Sequence, residues 1–81
     1  MNTKELMQND FDKAFNGASV ERVYISASGS MLVVGKRENS PTGKKYVVTH
    51  SMLNDSKYSF FWSTYDIETL SEACTIAQSK I

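Results

Sequence analysis

The chain has 81 residues, of which 41% are hydrophobic, 11% aromatic and 22% charged, and its formal net charge is zero. This length predicts one domain over residues 1–81 with a single core, and this composition excludes a disordered or low-complexity chain. A single cysteine excludes a disulfide framework and a multi-cysteine zinc site. The sequence has no apolar run long enough to cross a membrane and no apolar signal-peptide core at its start, which predicts a cytoplasmic protein.

The first predicted element is an amphipathic helix over residues 3–16, with Thr3 as its N-cap and Gly17 at its C′ position. One sector of this helix, about 100° wide, collects the apolar side chains Met7, Phe11, Ala14 and Phe15. Asp10 and Asp12 lie outside that sector, and we expect them only to be solvated. Because a helix of this length is marginal alone, its apolar sector should pack against the rest of the chain.

Four strands are predicted next, because the period of the apolar pattern changes from 3.6 residues to 2. Their ranges are 20–27, 31–37, 44–51 and 57–64. Each is rich in the β-branched and aromatic residues that half-buried strands favour. The connections between consecutive strands are short and rich in turn-forming residues, so the four strands should form an antiparallel meander.

The last predicted element is a second amphipathic helix over residues 67–80, with Asp66 as its N-cap and Tyr65 packed against Leu70. Its apolar stripe consists of Ile67, Leu70, Ala73, Cys74, Ala77 and Ile81. The element order is therefore α-β-β-β-β-α. It predicts an α+β fold, an antiparallel four-stranded sheet with both helices packed on one face.

The zero net charge conceals a segregation of charge along the chain. Residues 1–21 carry two basic and four acidic side chains. Residues 22–57 carry six basic and two acidic side chains, and residues 58–81 carry one basic and three acidic side chains. Four of the cations flank the predicted turn at residues 39–43, and they are Lys36, Arg37, Lys44 and Lys45. This basic hairpin is either an ordinary solvated turn or a contact for phosphate or for an acidic protein.

The predicted sheet also carries six large aromatic side chains, which are Tyr24, Tyr46, Tyr58, Phe60, Phe61 and Trp62. Strand alternation places Phe60 and Trp62, together with Tyr58, on one side of the fourth strand and Phe61 on the other. It also places Arg22 on the same side as Tyr24. Because helices on one face leave the other face open, at least two rings should lie away from the helices and form a binding or dimer surface.

Aromatic rings edged by cations fit two kinds of partner. The first is a protein, because Tyr, Trp and Arg are typical anchors of protein interfaces. The alternative is a nucleic acid whose bases stack on the rings, although the neutral net charge weighs against it. A second copy of the chain, forming a homodimer, would also cover the rings. The predicted partner-binding residues are Arg22, Tyr24, Lys36, Arg37, Lys44, Lys45, Tyr46, Tyr58 and Trp62.

The remaining features predict a binding protein rather than an enzyme. No glycine-rich nucleotide motif is present, and His50 and Cys74 are the only residues of their types. Cys74 falls within the apolar stripe of the last helix, where a cysteine behaves as a small core residue. We therefore expect no catalytic residue, no metal and no cofactor. In size and architecture the chain resembles the small stand-alone α+β proteins of phages and mobile elements, which often block or redirect a larger host protein, so a small regulator or inhibitor is expected.

Overall fold

Two helices flank a four-stranded sheet in residues 3–81, the part of the chain that this computed structural model describes. The elements are α1 (Thr3–Ala14), β1 (Ser19–Ile25), β2 (Met31–Lys36), β3 (Tyr46–Asn54), β4 (Lys57–Ile67) and α2 (Leu70–Ser79). The strands pair antiparallel in the order β1-β2-β3-β4. The predicted α-β-β-β-β-α order and the antiparallel meander are thus confirmed. Neither helix within residues 3–81 is long and apolar enough to cross a membrane.

The two helices pack on opposite faces of the sheet, so the prediction that they share one face is wrong. Along β2, Leu32 and Val34 pack in the cluster that includes residues of α2, whereas Val33 packs in the cluster that includes residues of α1. Successive side chains of a strand point to opposite faces. β2 is therefore buried on both sides, which explains why its sequence is a continuous apolar run rather than an alternating one.

Each face has its own hydrophobic cluster. The α1 cluster is formed by the buried residues Met7, Phe11, Phe15, Ala18, Val20, Val33 and Val47. The α2 cluster is formed by the buried residues Leu32, Val34, Val48, Ile67, Ala73 and Ala77. Ala14 is exposed, contrary to its predicted place on the packed face of α1. On the α1 face the helix lies so close to β2 that a Cβ atom at Gly35 would overlap the ring of Phe11.

α1 ends two residues earlier than predicted. The Gly17 N–H donates to the Asp12 carbonyl over 3.1 Å, and Asn16 has a left-handed φ of +52°. These are the features of a Schellman cap in which Asn16, rather than Gly17, occupies the C′ position.

Two polar side chains of α1 hold the outer edges of the sheet. The Gln8 amide donates to the Ala18 carbonyl over 3.1 Å and accepts from the Val20 N–H over 2.9 Å, at the start of β1. The Asp10 carboxylate accepts from the Tyr58 N–H over 3.0 Å, on β4. Asp10 therefore does more than the expected solvation, because it satisfies a backbone donor on the edge strand β4, which has no further strand beside it in the described part of the chain.

The junction between β4 and α2 also differs from the prediction. β4 continues to Ile67, and the N-cap of α2 is Thr69, whose hydroxyl accepts from the Glu72 N–H over 3.1 Å. Asp66 lies inside β4 and accepts from the Thr42 hydroxyl over 3.0 Å. Tyr65 does not pack against Leu70 as predicted. Its ring lies 6.1 Å from the ring of Phe15, between centroids, on the α1 side.

Candidate functional site

β4 contains a bulge that changes the direction of Trp62. His50 pairs with Phe61 and Val48 pairs with Thr64, so β4 has one residue more than β3 between these two pairs. Trp62 has a left-handed φ of +51°, which is rare for a bulky side chain. The extra residue breaks the alternation of the strand. The prediction that Trp62 shares a side with Tyr58 and Phe60 is therefore wrong.

Trp62 lies instead against Phe61 and His50. The centroid of its ring is 5.1 Å from that of Phe61 and 5.4 Å from that of His50, and both contacts are edge-to-face. The rings of His50 and Phe61 are stacked, with their centroids 5.8 Å apart. We call these three side chains the aromatic patch. They lie on the α2 face of the sheet but outside the α2 cluster, and Trp62 remains 79% exposed.

A groove of about 690 Å³ adjoins the aromatic patch. It exists because β3 continues for three residues past Ser51, the last residue that pairs with β2, so the β3–β4 hairpin projects beyond the β1–β2 turn. The lining comes from residues 28–31, 50–53 and 61–62, and none of these ten residues is an Asp, Glu, Lys or Arg. Met52 and Leu53 in this lining are each 54% exposed. The groove is therefore mostly apolar, and its polar side chains are three serines and His50.

Of the six aromatic rings named in the sequence analysis, two remain uncovered by a helix. β4 also carries Tyr65, which is 46% exposed and lies beside Phe15 on the α1 side. Tyr24 and Tyr46 pack against the α2 cluster, and Tyr58 and Phe60 pack against the α1 cluster. Phe61 and Trp62 belong to neither cluster. The uncovered rings thus lie on a part of the α2 face that α2 does not reach, and no face of the sheet is free of a helix.

The basic hairpin is partly neutralised by its own carboxylate. The Lys36 and Lys45 ammonium groups each lie 3.3 Å from a carboxylate oxygen of Glu38. Hydrogen bonds from Lys45 and Lys36 lower the pKa of the Glu38 carboxyl, and the bond to Glu38 raises the pKa of Lys36. The Arg37 guanidinium lies 5.0 Å above the centre of the Tyr65 ring. Lys44 is exposed.

The predicted partner-binding residues do not form one surface. β2 runs from Met31, in the groove, to Lys36, in the basic hairpin, and these ends are roughly 17 Å apart at about 3.4 Å per residue. Trp62 is at the first end, and the hairpin cations are at the second. Arg22 and Tyr24 do share the α2 face, since they pair with Val34 and Leu32.

The two residues considered for chemistry lie in separate places. His50 belongs to the aromatic patch, whereas Cys74 is half-buried on α2. A hydrogen bond with the Cys74 thiol, together with burial, raises the pKa of the Tyr24 hydroxyl. Within residues 3–81, no group of three or more His, Cys, Asp and Glu side chains is placed to hold a metal ion.

From the sequence, His50 was noted only as the single histidine of the chain, and no role was assigned to Met31, Met52 or Leu53. The signal that could have identified the groove is the pair Met52-Leu53, two adjacent apolar residues directly before the turn at 54–56. One of two adjacent strand residues must face away from any single covered face.

Comparisons with known proteins add no family to this description. A scan against protein-family models and searches of curated proteins and of solved structures each returned no match. The aromatic patch and the groove are therefore interpreted from their geometry alone.

Proposed function

We propose that this protein is a small non-enzymatic regulator or inhibitor that binds another protein through the aromatic patch and the groove. The observation that carries the proposal is Trp62, which is 79% exposed and has a left-handed φ of +51°. A non-glycine residue in that conformation costs about 1–3 kcal/mol, and such strain clusters at binding and catalytic sites. Glycine would adopt this backbone without strain, so stability alone does not account for a tryptophan there.

The surroundings of Trp62 suit a protein contact. Phe61 and His50 contact its ring edge-to-face, while most of the ring stays open to a partner. Tryptophan is among the residues most enriched at the energetic centres of protein interfaces. A typical interface covers ~800 Å² per partner, roughly one sixth of the 4994 Å² surface of this chain. The contact should therefore extend from the patch over the groove and the β3–β4 hairpin.

The alternative function, nucleic-acid binding, is supported less well. Bases stacked on the aromatic patch would place their phosphates in a groove without cations, since the basic hairpin is at the other end of β2. Two of the hairpin lysines are also engaged with Glu38. The exposed Lys44 and the Arg37–Tyr65 pair are what remains in favour of a phosphate contact.

Affinity capture with three forms of the protein tests the proposal. Immobilised wild type, Trp62→Gly and Lys44→Ala are exposed to an extract of the cells from which the protein comes. We expect the wild type and Lys44→Ala to retain the same protein, and Trp62→Gly to lose it. Retention should change little between roughly 50 and 200 mM salt, whereas phosphate binding would weaken steeply over that range. Capture that is indifferent to Trp62 and sensitive to Lys44 and salt would contradict the proposal.

A further inference from the structure

We infer that the partner contributes an extended, uncharged segment that pairs with the free edge of β3 at Leu53 and inserts an apolar side chain into the groove. This inference rests on the proposed function, because it names the partner segment that the aromatic patch would receive. The first observation concerns the backbone of the β3–β4 hairpin. β3 extends past Met31, the first residue of β2, so the last part of β3 has hydrogen-bonding groups on the side where β2 would lie.

The hairpin loop determines which residues carry those groups. Asp55 and Ser56 have φ values of +50° and +65°, which is the signature of a two-residue type I′ turn. The flanking residues, Asn54 and Lys57, then form a hydrogen-bonded pair, and bonded pairs alternate along an antiparallel ladder. Leu53, one residue before, therefore directs its N–H and C=O away from β4, towards the β2 side.

No strand within residues 3–81 occupies that side of Leu53. The last β2–β3 pair joins Met31 to Ser51, and the chain before Met31 turns away to β1. The turn satisfies its own backbone, because the Gly29 N–H donates to the Ser26 carbonyl over 3.0 Å and the Ser26 N–H donates to the Ser30 carbonyl over 2.8 Å. Within residues 3–81, the turn has no hydrogen bond to Leu53.

The other strand edges are less suited to an added strand. On β4, Asp10 holds the Tyr58 N–H, and positive φ angles at Trp62 and Asp66 interrupt the edge at two bulges. Bulges and inward-reaching charges are devices that prevent edge pairing. On β1, Gln8 accepts from the Val20 N–H near the start of the strand, and no residue of β1 lines the groove described above. Leu53 is the place where a free edge, a groove and an exposed tryptophan meet.

The chemistry of the groove defines the segment. In a segment paired with β3, the residue opposite Leu53 shares the face of Leu53. The residues before and after it point to the other face, which is the face of Met52 and of the groove. The lining has no Asp, Glu, Lys or Arg, and its polar groups are three serines and His50, so a charged side chain would lose hydration without gaining an ion pair with a carboxylate, a lysine or an arginine. The segment should therefore have apolar residues at alternate positions. Main-chain hydrogen bonds would give it affinity and the groove would give it specificity, as in other strand additions.

The first test uses a phage-displayed library of short random-sequence peptides and the intact protein. We expect selected peptides to be uncharged at their core, with apolar residues at every second position. Adding such a peptide should slow hydrogen exchange of the Leu53 amide at least ~10-fold, because the amide would then exchange only when its bond to the peptide opens. The Met52 and Asn54 amides, which face β4 or already pair with it, should change much less and serve as internal controls.

Variants then separate the backbone from the side chain. Leu53→Pro removes the N–H, and Leu53→Ala keeps it, so peptide affinity should fall at least ~10-fold more in the proline variant. Thermal unfolding shows whether Leu53→Pro is folded. If this variant is not folded, protection of the Leu53 amide in the wild type is the measurement that tests the inference. Selected peptides that require Trp62 but leave the Leu53 amide unprotected would overturn the inference and keep the proposed function. Peptides indifferent to both residues would overturn both. A failure to select peptides, or self-association through Leu53, would overturn the inference.

Discussion

Trp62 combines an unfavourable backbone with an exposed side chain, and this leads to an unusual expectation for stability. Trp62→Gly removes the left-handed strain of about 1–3 kcal/mol but adds backbone entropy of about 0.5–1 kcal/mol to the unfolded chain. It also loses the ring contacts with Phe61 and His50. We expect the free energy of unfolding to stay within about 1 kcal/mol of wild type, far less than the 3–5 kcal/mol of a buried tryptophan truncation.

Trp62→Ala is the matched control for this prediction. It loses the same ring but keeps the Cβ atom that makes the backbone unfavourable. Urea denaturation should therefore rank Trp62→Gly above Trp62→Ala in stability, by about 1 kcal/mol. The opposite ranking would show that the bulge is not strained by its side chain.

Glu38 supplies a pH-dependent prediction at the same scale. Its folded-state pKa is lowered by the hydrogen bonds from Lys45 and Lys36. The ion pairs therefore favour the folded state above the ordinary glutamate value of about 4.3, and this effect is lost as the pH falls through the lowered pKa. Lys45→Met should raise the pKa of Glu38, measured by NMR titration of its carboxyl carbon. Lys44 forms no ion pair within residues 3–81, so Lys44→Met should leave the pKa of Glu38 unchanged.

Single residues also show what the sequence could not reveal. Trp62 was correctly included among the candidate exposed rings, but its side of the strand was wrong, because a bulge depends on how many residues the neighbouring strand supplies. The register of β3 against β4 determines on which side of the sheet Trp62 lies, and this register cannot be read from the residue types around Trp62. The same register brings His50 beside Phe61, a contact between residues that are eleven positions apart in sequence.

At the scale of elements, periodicity and turn residues were sufficient to predict every helix and strand. They were insufficient to predict which face of the sheet each helix covers. The alternating pattern of β1 is compatible with one covered face, whereas the continuous apolar run of β2 and the adjacent Val47 and Val48 of β3 indicate two. The end of β4 was shortened in the prediction because Asp66 is a good N-cap by residue type. Its role in a bulge depends on the pairing of Tyr46 with Ile67.

The correct start of α2 leads to a stability prediction. Thr69 and Glu72 have the spacing of a capping box, and the Thr69 hydroxyl does accept from the Glu72 N–H. Thr69→Ala should lower the free energy of unfolding by about 0.5–2 kcal/mol in urea denaturation. Asp66→Asn keeps a residue type that tolerates left-handed backbone and should change stability much less. An equal loss in both variants would indicate that Asp66 also supports the helix.

At the scale of the whole molecule, the sequence showed that charge is segregated but not how far the charged and aromatic groups lie apart. The cations flank one turn in sequence, and strand direction then places that turn at the end of the sheet opposite to the groove. Four of the six rings are covered because both faces carry a helix. The remaining candidate surface is thus smaller and less charged than the predicted one, which favours a protein partner over a nucleic acid.

The contact between Asp10 and Tyr58 has a consequence for how the chain is made. Asp10 lies on the first element and Tyr58 on the last strand, 48 positions later. α1 is thus synthesised before β4. The ring contacts of Phe11, and of Phe15 just after α1, with Phe60 also form only when β4 is present. Until then the apolar side of α1 lacks these ring partners, and contacts this distant in sequence form slowly. A nascent chain that stops after β3 therefore leaves α1 incompletely packed, so protease sensitivity during synthesis should fall only once β4 has emerged.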